Sequence, residues 1–101
     1  MSKIEMNDHQ RRLWERMLQT IESYRDGAMS LPQLVGELEG ALDAGDFRDD
    51  ALVNRFYDFW GPLEITNAVK GDASYNEVAK DVEAMQGFLL EQIRPKQLEK
   101  S

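Results

Sequence analysis

Asp49-Asp50-Ala51-Leu52-Val53-Asn54-Arg55-Phe56-Tyr57-Asp58-Phe59-Trp60-Gly61-Pro62-Leu63-Glu64 is the stretch on which the fold turns. It crowds Phe56, Tyr57, Phe59 and Trp60 together and then meets Gly61-Pro62. At 100° per residue, Leu52, Val53, Phe56, Phe59, Trp60 and Leu63 share an arc of about 120°. An apolar load of that width belongs to a helix buried along one side, and it reads as the central helix of a small bundle. At Gly61-Pro62 the phase breaks. Continued straight, the helix puts Ile65 and Val69 nearly opposite the stripe and Asn67 in its middle. Proline lacks a ladder N–H and disfavours helical geometry in the residue before it. The expectation is a kink that rotates Ile65 and Val69 toward the core, and a break into two helices is the alternative.

Working back from this stretch, Ser30-Leu31-Pro32-Gln33 starts a helix. Ser30 caps, Gln33 completes a capping box, and Pro32 sits in the first turn, where its missing N–H costs nothing. Leu31, Leu34, Val35, Leu38 and Leu42 form its stripe, and Gly45 is the expected stop. Further upstream, Asn7 or Asp8 caps a helix whose stripe is Leu13, Trp14, Met17, Leu18, Ile21 and Tyr24, ending at Asp26-Gly27. Downstream, Ser74-Tyr75-Asn76-Glu77 reads as a second capping box. Val78, Val82, Met85, Leu89 and Ile93 follow as the fourth stripe, and Pro95 closes it. No alternating strand pattern persists, and the connections are short enough to return the chain beside itself. The fold class is therefore all-α: an antiparallel up-down four-helix bundle with a Gly-Pro kink in the third helix. It forms a single domain over residues 1–101, with helices at 7–25, 31–44, 49–70 and 75–94 and a frayed tail at 95–101.

The chain of 101 residues has no cysteine, which excludes disulfides and thiolate metal sites. It shows no signal peptide and no apolar run long enough for a membrane span, so a cytoplasmic protein is expected. Its net charge of −7 is unevenly placed. Residues 26–74 carry three bases and ten acids, a net of −7, while the flanking segments nearly cancel. Such a field repels nucleic acid and anionic lipid; it either serves solubility alone or steers a basic partner into contact.

No catalytic string is present: neither a P-loop, nor a Rossmann fingerprint, nor a nucleophile elbow. The lone His9 has no ligand partner at metal spacing. The run from Asp43 to Asp50 lacks the offsets of a calcium loop, and acids there suit a helix N-terminus. No catalytic residue, metal or cofactor is expected. The partner-binding candidates are Glu37, Glu39, Asp43, Asp46, Asp49, Asp50 and Asp58, with Tyr57 as an anchor on the margin of the central stripe. Gly36 and Gly40 lie off the leucine stripe of the second helix, and each costs about 1 kcal/mol against alanine. Phe88 lies off the fourth stripe among acidic neighbours. An aromatic ringed by acids, as Phe88 and Tyr57 are, reads either as a boundary residue of the core or as an interface anchor; on the second reading Phe88, Trp14 or the glycine strip are candidates for self-association.

Tyr24-Arg25-Asp26-Gly27-Ala28-Met29-Ser30-Leu31-Pro32-Gln33-Leu34-Val35, followed by Phe56-Tyr57-Asp58-Phe59-Trp60, resembles small acidic all-helical bacterial immunity proteins of the colicin D immunity-like kind. There too a helix ends in Tyr-x-x-Gly, a capped helix follows, and an aromatic-rich segment comes later. The resemblance covers residues 13–64. It implies an acidic bundle that binds a basic nuclease toxin and blocks its active site. The paired tyrosines of colicin DNase immunity proteins are not reproduced, because Phe56-Tyr57 lies inside a helix, and no binding residue carries over individually. Two functions are thus expected to compete: a non-enzymatic module for a basic protein partner, and a self-associating structural or adaptor protein. The first would be a monomer and the second a homodimer.

Overall fold

Side-chain caps delimit the helices. In the computed structural model, which describes residues 7–93, Asn7 accepts from the Gln10 N–H at 2.7 Å and Gln10 answers to the Asn7 N–H at 3.3 Å. This box opens α1 (Asp8–Arg25). The Ser30/Gln33 box opens α2 (Leu31–Gly45). Asp49, taking the Leu52 N–H at 3.1 Å, opens α3 (Asp50–Lys70). In each case a short side-chain oxygen satisfies a first-turn N–H that has no partner within the helix. The last helix, α4 (Tyr75–Ile93), begins differently. The expected Ser74 box does not form as such: the Glu77 N–H meets the Ser74 carbonyl at 3.0 Å and not its hydroxyl, while the Glu77 carboxylate accepts from Lys70 at 3.1 Å and, at 3.5 Å, from the Ser74 hydroxyl. The expected end at Arg94 and the tail 95–101 lie outside the described residues.

Two helix ends show how the chain turns. After α1, Gly27 takes φ 86°, and the Ala28 N–H reaches back to the Ser23 carbonyl at 2.9 Å, the glycine-closed ending foreseen there. After α2 the expected stop at Gly45 is displaced by one residue. Gly45 stays helical, and Asp46 takes the left-handed conformation at φ 49°. Gly45 serves another purpose. A Cβ there would run into the Phe47 ring, which folds back over it to meet Trp14 edge-on at 5.2 Å between centroids.

The helices pack in a ring, α1 against α2, α2 against α3, α3 against α4 and α4 against α1; among the described residues no diagonal pair of helix backbones comes close, and side chains alone meet across the centre. Pairings run in opposite order along neighbours. On α1 and α2, Gln10 meets Gly45; on α2 and α3, Val35 meets Trp60 and Glu39 meets Tyr57. On α3 and α4, Arg55 faces Glu91 and Lys70 faces Glu77. The result is an antiparallel four-helix bundle with a Cα radius of gyration of 13.8 Å. Among the described residues there is no strand, and no helix is long and apolar enough to cross a membrane.

The centre of the core is Trp14 of α1. It is fully buried, its ring lies 5.2 Å from Phe47, 6.3 Å from Phe56 and 6.0 Å from Phe88, and its Nε1–H donates to the Leu89 carbonyl at 3.0 Å. Trp14 is therefore enclosed and cannot offer its ring to a second copy. Phe88 is likewise buried, stacked on Phe59 with centroids 5.0 Å apart, because α4 packs against α3 as well as α1. Both self-association anchors are thus core residues. The expected central role of α3 is also corrected: it buries only Leu52, Phe56 and Leu63 completely, while Val53, Phe59 and Trp60 lie half-buried at its margins.

α3 runs unbroken through Gly61-Pro62. The expected rotation of its last turns does not occur. Ile65 and Val69 remain outside, 64% and 76% exposed, where a straight helical phase places them.

Candidate functional site

The acidic segment of the sequence becomes the α2–α3 hairpin, and the structure sorts its carboxylates by what they touch. Asp49 is committed to capping α3. Glu39 accepts the Tyr57 hydroxyl at 3.1 Å. Burial, that hydrogen bond and the nearby charges of Glu39 and Asp43 raise the Tyr57 hydroxyl above its ordinary pKa, in that order of weight. Tyr57 is half-buried and packs edge-on against Phe56 and Trp60, each at 5.4 Å. It joins α2 to α3 and is not free to act as a protruding anchor. Asp46 pairs with Arg48 at 3.3 Å, both side chains standing in solvent. An exposed pair of this kind contributes about 0–1 kcal/mol and opens readily.

Glu37, Asp43, Asp50 and Asp58 remain exposed, and none has an ion-pair partner among the described residues. By helical phase Glu37 and Asp43 share the outer side of α2 with Gly36 and Gly40, while Asp50 and Asp58 lie on the outer side of α3. Each base of the hairpin, by contrast, has an acid beside it. Arg55 lies 3.9 Å from Glu91 and 5.2 Å above the Phe88 ring, Lys70 lies 3.1 Å from Glu77, and Arg48 is the partner of Asp46. Lys70 in turn holds the Glu77 carboxyl below its usual range. The positive charges of α3 are drawn onto α4, so its outer side is left to carboxylates. This pairing is a tertiary fact, and no spacing along the chain announces it.

Two open grooves flank the hairpin. One, of about 510 Å³, lies where the start of α1 meets the α2–α3 connection. On its wall the Gln10 Nε2–H donates to the Gly45 carbonyl at 2.9 Å, and a His9 ring nitrogen sits 3.4 Å from the Ala44 carbonyl. These polar side chains cover the carbonyl end of α2, which has no base in its own last turn. The other groove, of about 290 Å³, runs over Gly36 and Gly40 beside Leu13 and Arg16. A Cβ at either glycine would meet nothing within 4 Å, so packing within the chain does not require glycine there. Among the described residues no three acid, histidine or cysteine side chains converge as a metal-ligand set.

The sequence reading missed the outward pair Ile65 and Val69. The signal was present: uninterrupted helical phase puts both opposite Phe56, and only the assumed kink turned them inward. No family model, curated protein or solved structure matches the chain.

Proposed function

We propose that the protein is a non-enzymatic binding module whose acidic α2–α3 face engages a basic protein. The observation that carries this reading is the asymmetry of pairing on the hairpin: its bases lie beside acids, whereas Glu37, Asp43, Asp50 and Asp58 stand without ion-pair partners among the described residues. Exposed, unpaired carboxylates on one hairpin supply long-range attraction for a cationic surface and are screened by salt. The resemblance to colicin D immunity-like proteins makes a basic nuclease toxin the first partner to try, with neutralisation of that toxin as the biological role. Self-association, the competing expectation, loses support because Trp14 and Phe88 lie inside the core; of its anchors only the strip at Gly36 and Gly40 remains at the surface.

The test is titration against the catalytic domain of a basic nuclease colicin. Asp43→Lys with Asp58→Lys should raise Kd about ten-fold or more at low salt, with the difference shrinking as salt approaches the molar range. Binding that ignores both salt and charge reversal would overturn the electrostatic reading.

A further inference from the structure

The outer side of α3 carries more than charge. From Asp58 the helical repeat leads through Gly61 and Pro62 to Ile65 and Val69, one stripe along the side of the helix opposite Phe56. Ile65 and Val69 are the most exposed large hydrophobic side chains among the described residues, and they stand one helical turn apart. Between them and Asp58, Gly61 keeps the surface low, with nothing within 4 Å of where a Cβ would stand. Pro62 adds a chemical consequence. Having no N–H, it supplies no ladder donor to the carbonyl of Asp58, four residues earlier. Asp58 therefore presents its unpaired carboxylate and, beside it, a backbone carbonyl that lacks its helical donor.

Resting on the proposed acidic binding face, we infer that this stripe is its docking line for a cationic amphipathic segment of a partner protein. A Lys or Arg of the partner meets the acceptors of Asp58, and an apolar side chain seven to eleven residues along its path covers Ile65 and Val69. Charge complementarity selects this occupant. Arg55 and Lys70, the bases of α3, are turned to Glu91 and Glu77, so the stripe itself carries no positive charge. A second copy fits poorly: it brings the same net charge of −7. The stripe is also narrow beside the roughly 800 Å² per partner of a standard stable interface.

The test uses the full chain and two probes: a synthetic helical peptide with one leucine face and one lysine face, and oligolysine of equal charge. The expected result is that the amphipathic peptide binds more tightly than oligolysine and shifts backbone amide resonances along 58–69. Ile65→Ser with Val69→Ser should weaken the amphipathic peptide about ten-fold or more while leaving oligolysine affinity within about two-fold. Asp58→Asn should weaken both probes and flatten the salt dependence. Thermal melts of the variants, overlaying that of the parent, establish that they are folded. Equal loss of both probes on the Ile65/Val69 change, or no loss of either, overturns the docking line and leaves the acidic face standing. Failure of both probes to bind the parent chain overturns the docking line and the acidic face together. A dimer in sedimentation that dissociates on Ile65→Ser identifies a second copy as the occupant and overturns the cationic assignment.

Discussion

The two halves of α3 carry similar side chains and meet opposite surroundings. In the first half Leu52 and Phe56 are enclosed, Phe56 lying 6.3 Å from the Trp14 ring. In the second half Ile65 and Val69 stand in solvent. Periodicity states which residues share a side of a helix, but the neighbouring helices decide which side is covered. In this ring α3 touches α2 and α4 and presents to the centre only the line of Leu52, Phe56 and Leu63. An aliphatic residue off that line stays outside unless the helix bends. The helix does not break at Pro62, and the two residues most in need of a bend remain exposed.

The largest test of this contrast compares Trp14→Ala with Ile65→Ser. Removing a fully buried aromatic ring that touches three others should cost about 3–5 kcal/mol. Replacing a residue already 64% exposed should change stability by no more than about 0.5 kcal/mol. Urea unfolding of both variants measures the difference. An Ile65→Ser loss above about 2 kcal/mol would show that residue to be packed and would abolish the distinction between the two halves.

The glycines of α2 give a smaller contrast of opposite sign. Gly36→Ala and Gly40→Ala should each stabilise by about 1 kcal/mol, since the helix gains propensity and the new methyl groups meet nothing. Gly45→Ala adds the same methyl group under the Phe47 ring and should destabilise by about 1–3 kcal/mol through overpacking. The same unfolding experiment reads all three. If Gly45→Ala proved as stabilising as the other two, Phe47 would have an alternative position, and its contact with Trp14 would not be a fixed part of the core.

Four helices in this order were legible because their signals are local. The Ser30/Gln33 box and the left-handed Gly27 each depend on residues within a few positions and form as expected. What escaped depended on residues far apart in the chain. Phe88 lies off the stripe of its own helix, so spacing alone leaves core margin and interface anchor both open, and Phe59 on the adjacent helix is what makes that margin an interior. Gly45 looked like a stop; its small size is instead a requirement of Phe47, two residues later and folded back. The site was legible as composition, since the acids are where the sequence concentrates them. Their division into committed and free carboxylates was not, because the Tyr57 bond to Glu39 and the salt bridges of Arg55 and Lys70 all join different helices.

A modest effect at neutral pH, and the one that separates inside from outside by titration, belongs to Tyr24. Its hydroxyl donates to the Ala73 carbonyl at 2.6 Å and is buried beneath the α3–α4 connection. Burial first, then the charges of Asp72 and Glu77, raise its pKa above the ordinary 10.0. A raised folded value means that the native state holds this proton more tightly than the unfolded chain does. The stability it contributes is complete below pH 10 and is lost as pH climbs through the folded pKa. Tyr24→Phe should cost about 1 kcal/mol at pH 7 through the lost hydrogen bond. It should also make the alkaline fall in stability shallower. Tyr57, raised for similar reasons but only half-buried, adds a contribution of the same sign, so Tyr24→Phe with Tyr57→Phe should flatten the alkaline limb further. Unfolding free energies measured from pH 8 to 11.5 decide the matter. An unchanged slope in the double variant would mean that neither hydroxyl is held in its neutral form by the fold, and that the connection at 71–74 opens before the bundle does.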